Sequence, residues 1–180
     1  MILRVRPSSV KGRTSVPGSK SHCIRAVALA SLASGESRIL RPLESADSAS
    51  AAAVYRALGA EIHPGEGAWR VQGFAGLPRA PKALVDVGNS GTSCLIGLGT
   101  AALLRGGEAR FDGDAQTRRR PMGPLLAALA NLGARARTEK GDGLLPAIVG
   151  GPWRGGRTQV EGTTSQYATS LILNAPFGEA

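Results

Sequence analysis

With 180 residues, 42% of them apolar, 4% aromatic and 25 glycines, the chain is long enough for a domain whose core is built from small aliphatics and cut by many turns. A formal charge of +9, with Arg4, Arg6, Lys11, Arg13, Lys20 and Arg25 all preceding the first acid, Glu36, implies an anionic partner, either a small phosphorylated metabolite or nucleic acid. So few aromatics exclude a base-stacking platform, and the longest mostly apolar run, Thr92 to Leu104, is too short to span a bilayer.

Met1 to Val16 alternates apolar and basic residues and predicts one or two short strands around Pro7-Ser8-Ser9. This acid-free stretch has the composition of a transit peptide, but it runs directly into a motif, Pro17-Gly18-Ser19-Lys20-Ser21, and no apolar signal region follows Met1. A helix over Ala26–Ala33 stops at Ser34-Gly35, and Glu36–Leu40 is a strand. Asp47 or Ser48 caps a second helix, Ser50–Leu58, which stops at Gly59. Ala60–Gly73 is a hairpin around Pro64-Gly65-Glu66-Gly67, then come a loop to Pro81 and a buried strand over Ala83–Val87.

The same order then returns. Ser93–Leu104 is a helix stopped by Gly106-Gly107, Glu108–Phe111 a strand, Pro121–Leu132 a helix, and Ala134–Val149 a second hairpin. Gly35-Glu36-Ser37-Arg38 is echoed by Gly107-Glu108-Ala109-Arg110, and Leu58-Gly59-Ala60 by Leu132-Gly133-Ala134. A third copy starts at Thr163, runs through a helix over Gln166–Leu173 and reaches Gly178-Glu179-Ala180. Each unit is helix, strand, helix, strand, strand, and repeats of this size stack to bury a shared core. The third copy stops after its first helix, which predicts a truncated unit with Leu171 to Leu173 poorly covered and prone to self-association.

Three helix starts in register carry the chemistry. Around Lys20 and Ser21, outward-pointing backbone N–H groups favour an anion, and Arg25 one turn on adds a donor fork. Gly88-Asn89-Ser90-Gly91-Thr92-Ser93 is a run of small residues that lets a ligand approach exposed backbone. Gly162-Thr163-Thr164-Ser165-Gln166 offers hydroxyls and an amide to a polyhydroxylated ligand. Arg118-Arg119-Arg120-Pro121 places guanidiniums at a helix entry, where they can clamp an anion. Two apparent motifs fail. Gly97-Leu98-Gly99 fits part of a dinucleotide fingerprint but lies within a helix, and the Lys20 turn lacks the glycine spacing of a phosphate-binding loop, so no ATPase activity is expected. Cys23 and Cys94 read as reduced, buried thiols of a cytoplasmic protein, and His22 and His63 as structural, with no metal-ligand spacing.

PGSKS with Arg25, then GNSGT, then RRRPMGPLLAAL with LGA, then TSQY resemble the 3-phosphoshikimate 1-carboxyvinyltransferase (EPSP synthase) family across essentially the whole chain. GNSGT and the SKSH start separate it from the sister UDP-N-acetylglucosamine carboxyvinyltransferases. The resemblance implies an α/β fold of repeated units around a pseudo-threefold axis, in two domains with ligands in the cleft between them, of which this chain is the N-terminal half. Residues 1–16 would begin in the other domain, and residues 17–180 would form the incomplete substrate-binding domain. It implies transfer of the enolpyruvyl group of phosphoenolpyruvate to the 5-hydroxyl of shikimate 3-phosphate, a step of chorismate and aromatic amino-acid biosynthesis, with no cofactor and no metal. Lys20 would contact both substrates as the catalytic cation. Ser21, Arg25, Thr164, Ser165 and Gln166 would bind shikimate 3-phosphate, and Asn89, Gly91, Arg120 and Gln166 would hold phosphoenolpyruvate.

Leu95 stands where the family usually has arginine and Thr164 where serine is usual, and the family's acid/base carboxylate lies in the half this chain lacks. The half-chain alone is therefore expected to bind weakly and turn over little, unless a C-terminal half or a second copy completes it. A non-catalytic anion-binding member of the family is the alternative. A nucleic-acid binder using the same basic surface has no motif behind it.

Overall fold

The computed structural model describes residues 3–179. Its first unit is helix α1 (Lys20–Leu32), strand β1 (Glu36–Leu40), helix α2 (Ala46–Ala57) and strands β2 (Glu61–Gly65) and β3 (Ala68–Gln72). After a two-residue strand β4 (Val85–Asp86), the second unit repeats the order as α3 (Gly91–Ala101), β5 (Ala109–Asp112), α4 (Gly123–Asn131), β6 (Arg135–Thr138) and β7 (Ala147–Gly150). Helix α5 (Ser165–Asn174) occupies the first-helix place of a third unit. The two sheets have the same topology: β1-β3-β2 in the first unit and β5-β7-β6 in the second, with β4 added in parallel beside β5. Helices α1, α3 and α5 pack against one another, as the three equivalent elements of a pseudo-threefold arrangement must. α3 is buried on nearly every side, which explains why its sequence is apolar all round.

Period-two alternation sets the sheet faces. Trp69 and Val71 point inward on β3 while Arg70 and Gln72 face out, and on β7 Ala147 and Val149 are buried. One core joins the units, with Tyr55, Phe111, Ile24, Leu58, Leu98 and Leu129 among its fully enclosed side chains. The echo of Leu58-Gly59-Ala60 in Leu132-Gly133-Ala134 has a conformational cause. Gly59 and Gly133 both terminate a helix at positive φ, +108° and +93°, and the next residue returns its N–H to the helix, Ala60 to Tyr55 O and Ala134 to Leu129 O.

Several expected boundaries move. α1 starts at Lys20, not Ala26, because the Ser19 hydroxyl accepts the His22 N–H and caps the helix there. Ser45, not Asp47 or Ser48, caps α2, which puts Asp47 in its first turn. α3 begins two residues earlier than expected, capped by Ser90, and α4 begins later, with Pro124 in its first turn. The strands expected over residues 1–16 are not formed in the described part: residues 3–16 run without sheet pairing, and Leu3, Val5 and Val10 are exposed. A strand needs a partner ladder, and no edge of either sheet is paired to this segment. Residues 1 and 2, and the Ala180 end of the third copy, lie outside the described residues. Ile172, at 69% exposure, projects from α5 between the half-buried Leu171 and Leu173, so the apolar surface expected there is present.

Candidate anion-binding site

Three helix N-termini carry the candidate residues, and they occupy equivalent places: Lys20, Gly91 and Ser165 are each the first residue of α1, α3 and α5. All three caps are hydroxyls, from Ser19, Ser90 and Thr164. The unsatisfied N–H groups of the first turns therefore give this region a standing affinity for negative charge.

Around α3 the arrangement is tightest. Arg120 lies with its guanidinium directly over Gly91; a Cβ there would overlap Nη1 and come within 3.0 Å of Cδ. The neighbouring cation is committed elsewhere. Arg118 makes a two-pronged ion pair with Asp112, at 2.8 and 2.5 Å, so of the expected arginine clamp Arg118 is structural and Arg120 is the one that reaches Gly91. Asn89 is held by its amide, which donates to Asp114 Oδ2 (2.6 Å) and Gln116 Oε1 (2.9 Å), tying the loop before α3 to the loop that carries Arg120.

A groove of about 330 Å³ runs from Leu95 past Arg120 and Pro121 to Thr163, Thr164, Gln166 and Tyr167. The structure thus joins Arg120, Thr164 and Gln166 in one groove, with Leu95 as an apolar wall. Lys20, Ser21 and Arg25 do not line it. Lys20 is half exposed and pairs with Asp47 at 3.3 Å, and Arg25 donates to Ser21 O (3.0 Å) and across to Thr169 Oγ1 of α5 (3.2 Å). The Ser93 hydroxyl, donating to Asp47 O at 3.4 Å, connects the Lys20 end to α3. A larger concavity, about 720 Å³, lies elsewhere, lined by Trp153, Leu171, Ile172 and Pro176, and holds none of the candidate residues.

Sequence reasoning missed Asp47 as the countercharge of Lys20, Tyr167 as a donor to Pro121 O (2.9 Å), and Asp112. Arg110 pairs with Glu139, and Arg135 and Arg137 with Glu108, on the outer face of the second sheet, where exposed pairs contribute little stability but do cancel charge. Gly97 and Gly99 are packing positions inside α3, against Val54 with Phe111 and against Ser170 with Asn174, which disposes of the fingerprint resemblance. Both cysteines are free and buried. Burial pushes the Cys94 thiol up to about 12, with the Asp112 charge adding and Arg120 opposing, so it is not a nucleophile at neutral pH. Among the described residues no cluster of three or more His, Cys, Asp or Glu is placed to hold a metal, and no helix is long and apolar enough to cross a membrane.

The Arg118 hydrogen bonds hold the Asp112 carboxyl below the usual range, against the opposing effect of burial, with the Gly113 N–H and the Arg118 charge adding to them. A depressed folded-state pKa contributes stability that is complete above the unfolded value, near 4, and is lost as pH falls through the folded one. Melting temperatures from pH 7 to 2 are therefore expected to show wild type above Arg118→Gln at neutral pH, with the gap closing below about pH 4. A gap that stays constant to pH 2 would refute this role for the pair.

The family model for EPSP synthase (3-phosphoshikimate 1-carboxyvinyltransferase) matches residues 5–180. A 3-phosphoshikimate 1-carboxyvinyltransferase of Acetivibrio thermocellus is 48% identical over 177 residues, covering 98% of this chain and 42% of that protein. That of Ruminiclostridium cellulolyticum is 44% identical over 179 residues, covering 99% of this chain and 42% of the relative. Among solved structures, EPSP synthase from Acinetobacter baumannii superposes with a TM-score of 0.84 at 26% identity, over 93% of this chain and 39% of that one. The chain thus spans about two fifths of the length of these relatives.

Proposed function

Since the chain belongs to the EPSP synthase (3-phosphoshikimate 1-carboxyvinyltransferase) family, we propose that its three helix N-termini bind shikimate 3-phosphate and phosphoenolpyruvate, forming one wall of the site at which the enolpyruvyl group reaches the shikimate 5-hydroxyl. The observation that carries this is Arg120 seated over Gly91 at the start of α3, opening into a groove whose far side is Thr164 and Gln166 of α5.

Two multiply charged anions must be brought within bonding distance, and their mutual repulsion is overcome only by fixed cations and N–H dipoles. Arg120 offers a planar fork to the phosphoenolpyruvate end, with Asn89 and the Gly91 N–H beside it. Lys20, held by Asp47 yet half exposed, reaches both substrates, its ammonium exchanging one carboxylate for a phosphate. Ser21, Arg25, Thr164, Ser165 and Gln166 hold the shikimate moiety, and Gln166 also lies near phosphoenolpyruvate. Proton transfer is assigned to the part of the relatives' length that this chain does not span, so a C-terminal half completes the site; turnover by the chain alone would instead place proton transfer on this chain, completed by a second copy. Two free buried thiols accord with a reducing compartment, and the reaction is placed in the cytoplasm. A second reading, an anion binder without turnover, is favoured by Leu95, which puts a buried apolar side chain in the groove wall.

The test is phosphate release by the 180-residue chain given both substrates, with Lys20→Ala as control, alone and with a C-terminal half added. Activity that needs the second half and Lys20 supports the transferase reading. Binding without turnover in either setting selects the second reading, and no binding of either substrate overturns both. Exposed Ile172 beside the apolar concavity leads to a separate expectation. The chain alone should self-associate at high concentration, and Ile172→Asp should reduce this, as read by sedimentation. A wild-type chain that stays monomeric would count against it.

A further inference from the structure

Helix α5 is docked by polar groups. The residues it buries are Tyr167, Ser170 and Asn174, spaced along one face, and each uses a polar atom at the interface. Tyr167 Oη donates to Pro121 O (2.9 Å), and Ser170 Oγ donates to Leu95 O of α3 (2.7 Å). Asn174 Oδ1 accepts from Thr100 Oγ1 (2.8 Å), which itself lies 2.9 Å from Tyr55 Oη of α2. Ser170, Asn174, Thr100 and Tyr55 are fully enclosed and Tyr167 nearly so. By contrast, most of what α1 buries is apolar, Ile24, Val27, Ala28 and Leu32 among them, with Ser31 as its buried hydroxyl. α3 makes room for this contact with Gly99, where a Cβ would overlap Ser170 Oγ and sit 2.8 Å from Asn174 Nδ2.

Building on the function proposed above, we propose that Tyr167, Ser170 and Asn174 are positioning residues that set the register of α5 and so place Thr164, Ser165 and Gln166 opposite Arg120. An apolar stripe adheres with little directional preference, whereas a hydrogen bond is lost with a small change of distance or angle. Sliding or rotating α5 by one residue would break all three bonds and strand buried polar groups. The apolar grip on α5 cannot hold the register alone, because Ile172 faces out and Leu171 and Leu173 are only half-buried. The bond from Tyr167 is the most direct, since its acceptor, the Pro121 carbonyl, adjoins Arg120. One wall of the groove is thereby tied to the other.

The experiment compares the full 180-residue chain with Ser170→Ala and, as a variant that keeps its ring packing, Tyr167→Phe. Residue-resolved amide hydrogen exchange and calorimetric binding of shikimate 3-phosphate and inorganic phosphate are the readouts. Exchange within α5 is expected to rise about tenfold in each variant while α1 and α3 hold to within about twofold. Shikimate 3-phosphate affinity should fall about tenfold in Ser170→Ala, with inorganic phosphate, as a probe of Gly91 and Arg120, changed by less than about twofold. Unchanged α5 exchange in both variants would overturn the proposal. So would exchange rising evenly over α1, α3 and α5, which would mark plain destabilisation. If the wild-type chain binds no shikimate 3-phosphate, the proposed function fails, and the exchange data alone decide whether α5 is held in this way.

Discussion

Gly91→Ala is expected to leave the fold intact and weaken phosphoenolpyruvate binding by about a hundredfold. The added Cβ would overlap Arg120 Nη1 and crowd its Cδ and Cζ, at 3.0 and 3.2 Å. Those atoms are the far end of a flexible side chain, so the guanidinium swings aside at little cost. Alanine is also the better helix residue, which offsets what cost there is. Stability should therefore change by less than about 1 kcal/mol. Binding has no such freedom. A fork moved by about an ångström no longer meets the anion with both prongs, and the new methyl occupies the approach to the first-turn N–H groups. Calorimetric titration with phosphoenolpyruvate, alongside urea unfolding, checks both halves. Wild-type affinity in the variant would mean that Arg120 over Gly91 is not the anion site.

The same substitution at Gly151 should do the opposite. Here a Cβ would overlap Leu104 O and lie 2.7 Å from Ala102 O, so the obstruction is backbone at the C-terminal end of α3. Carbonyls cannot swing aside without moving the helix or the strand end, and overpacking of this kind costs about 3 kcal/mol. That is a large share of the roughly 5–15 kcal/mol that holds a domain folded. Gly73 occupies the equivalent place in the first unit, its Cβ overlapping Ala33 O and lying 2.6 Å from Ala30 O, and Gly73→Ala should cost as much. Gly106→Ala, with nothing within 4 Å, is the control and should be near neutral. Urea unfolding midpoints for the three variants give the answer. A Gly151→Ala midpoint equal to that of Gly106→Ala would show that the last strand of each unit does not press on its first helix.

What the sequence by itself determined was whatever depends on neighbours along the chain. The two full units were legible because the second helix of each stops at its own glycine, Gly59 and Gly133, and each sheet face has its own alternation. The three candidate clusters were legible because caps and small residues must precede a helix start: Ser19-Lys20, Ser90-Gly91 and Thr164-Ser165. Resemblance to a known family then attached substrate roles to those positions.

Only the tertiary structure decided which of them meet. Arg118 and Arg120 are indistinguishable as letters, yet one faces Asp112 from the adjacent strand and the other covers Gly91. Asp47 read as a cap until the packing of α2 beside α1 made it the partner of Lys20. The glycines of α3 fail as a nucleotide fingerprint from their place within a helix, but only the fold shows what they admit: Val54 and Phe111 at Gly97, Ser170 and Asn174 at Gly99. The segment 3–16 read as strands, but alternation supplies only a face, and the ladder must come from another strand. Apart from Arg118 and Asp112, which are six residues apart, the deciding quantity is a distance between residues far apart in the chain. Side-chain type limits what a residue can bond to, and the fold alone brings the partner within the roughly 3 Å at which a hydrogen bond or ion pair forms.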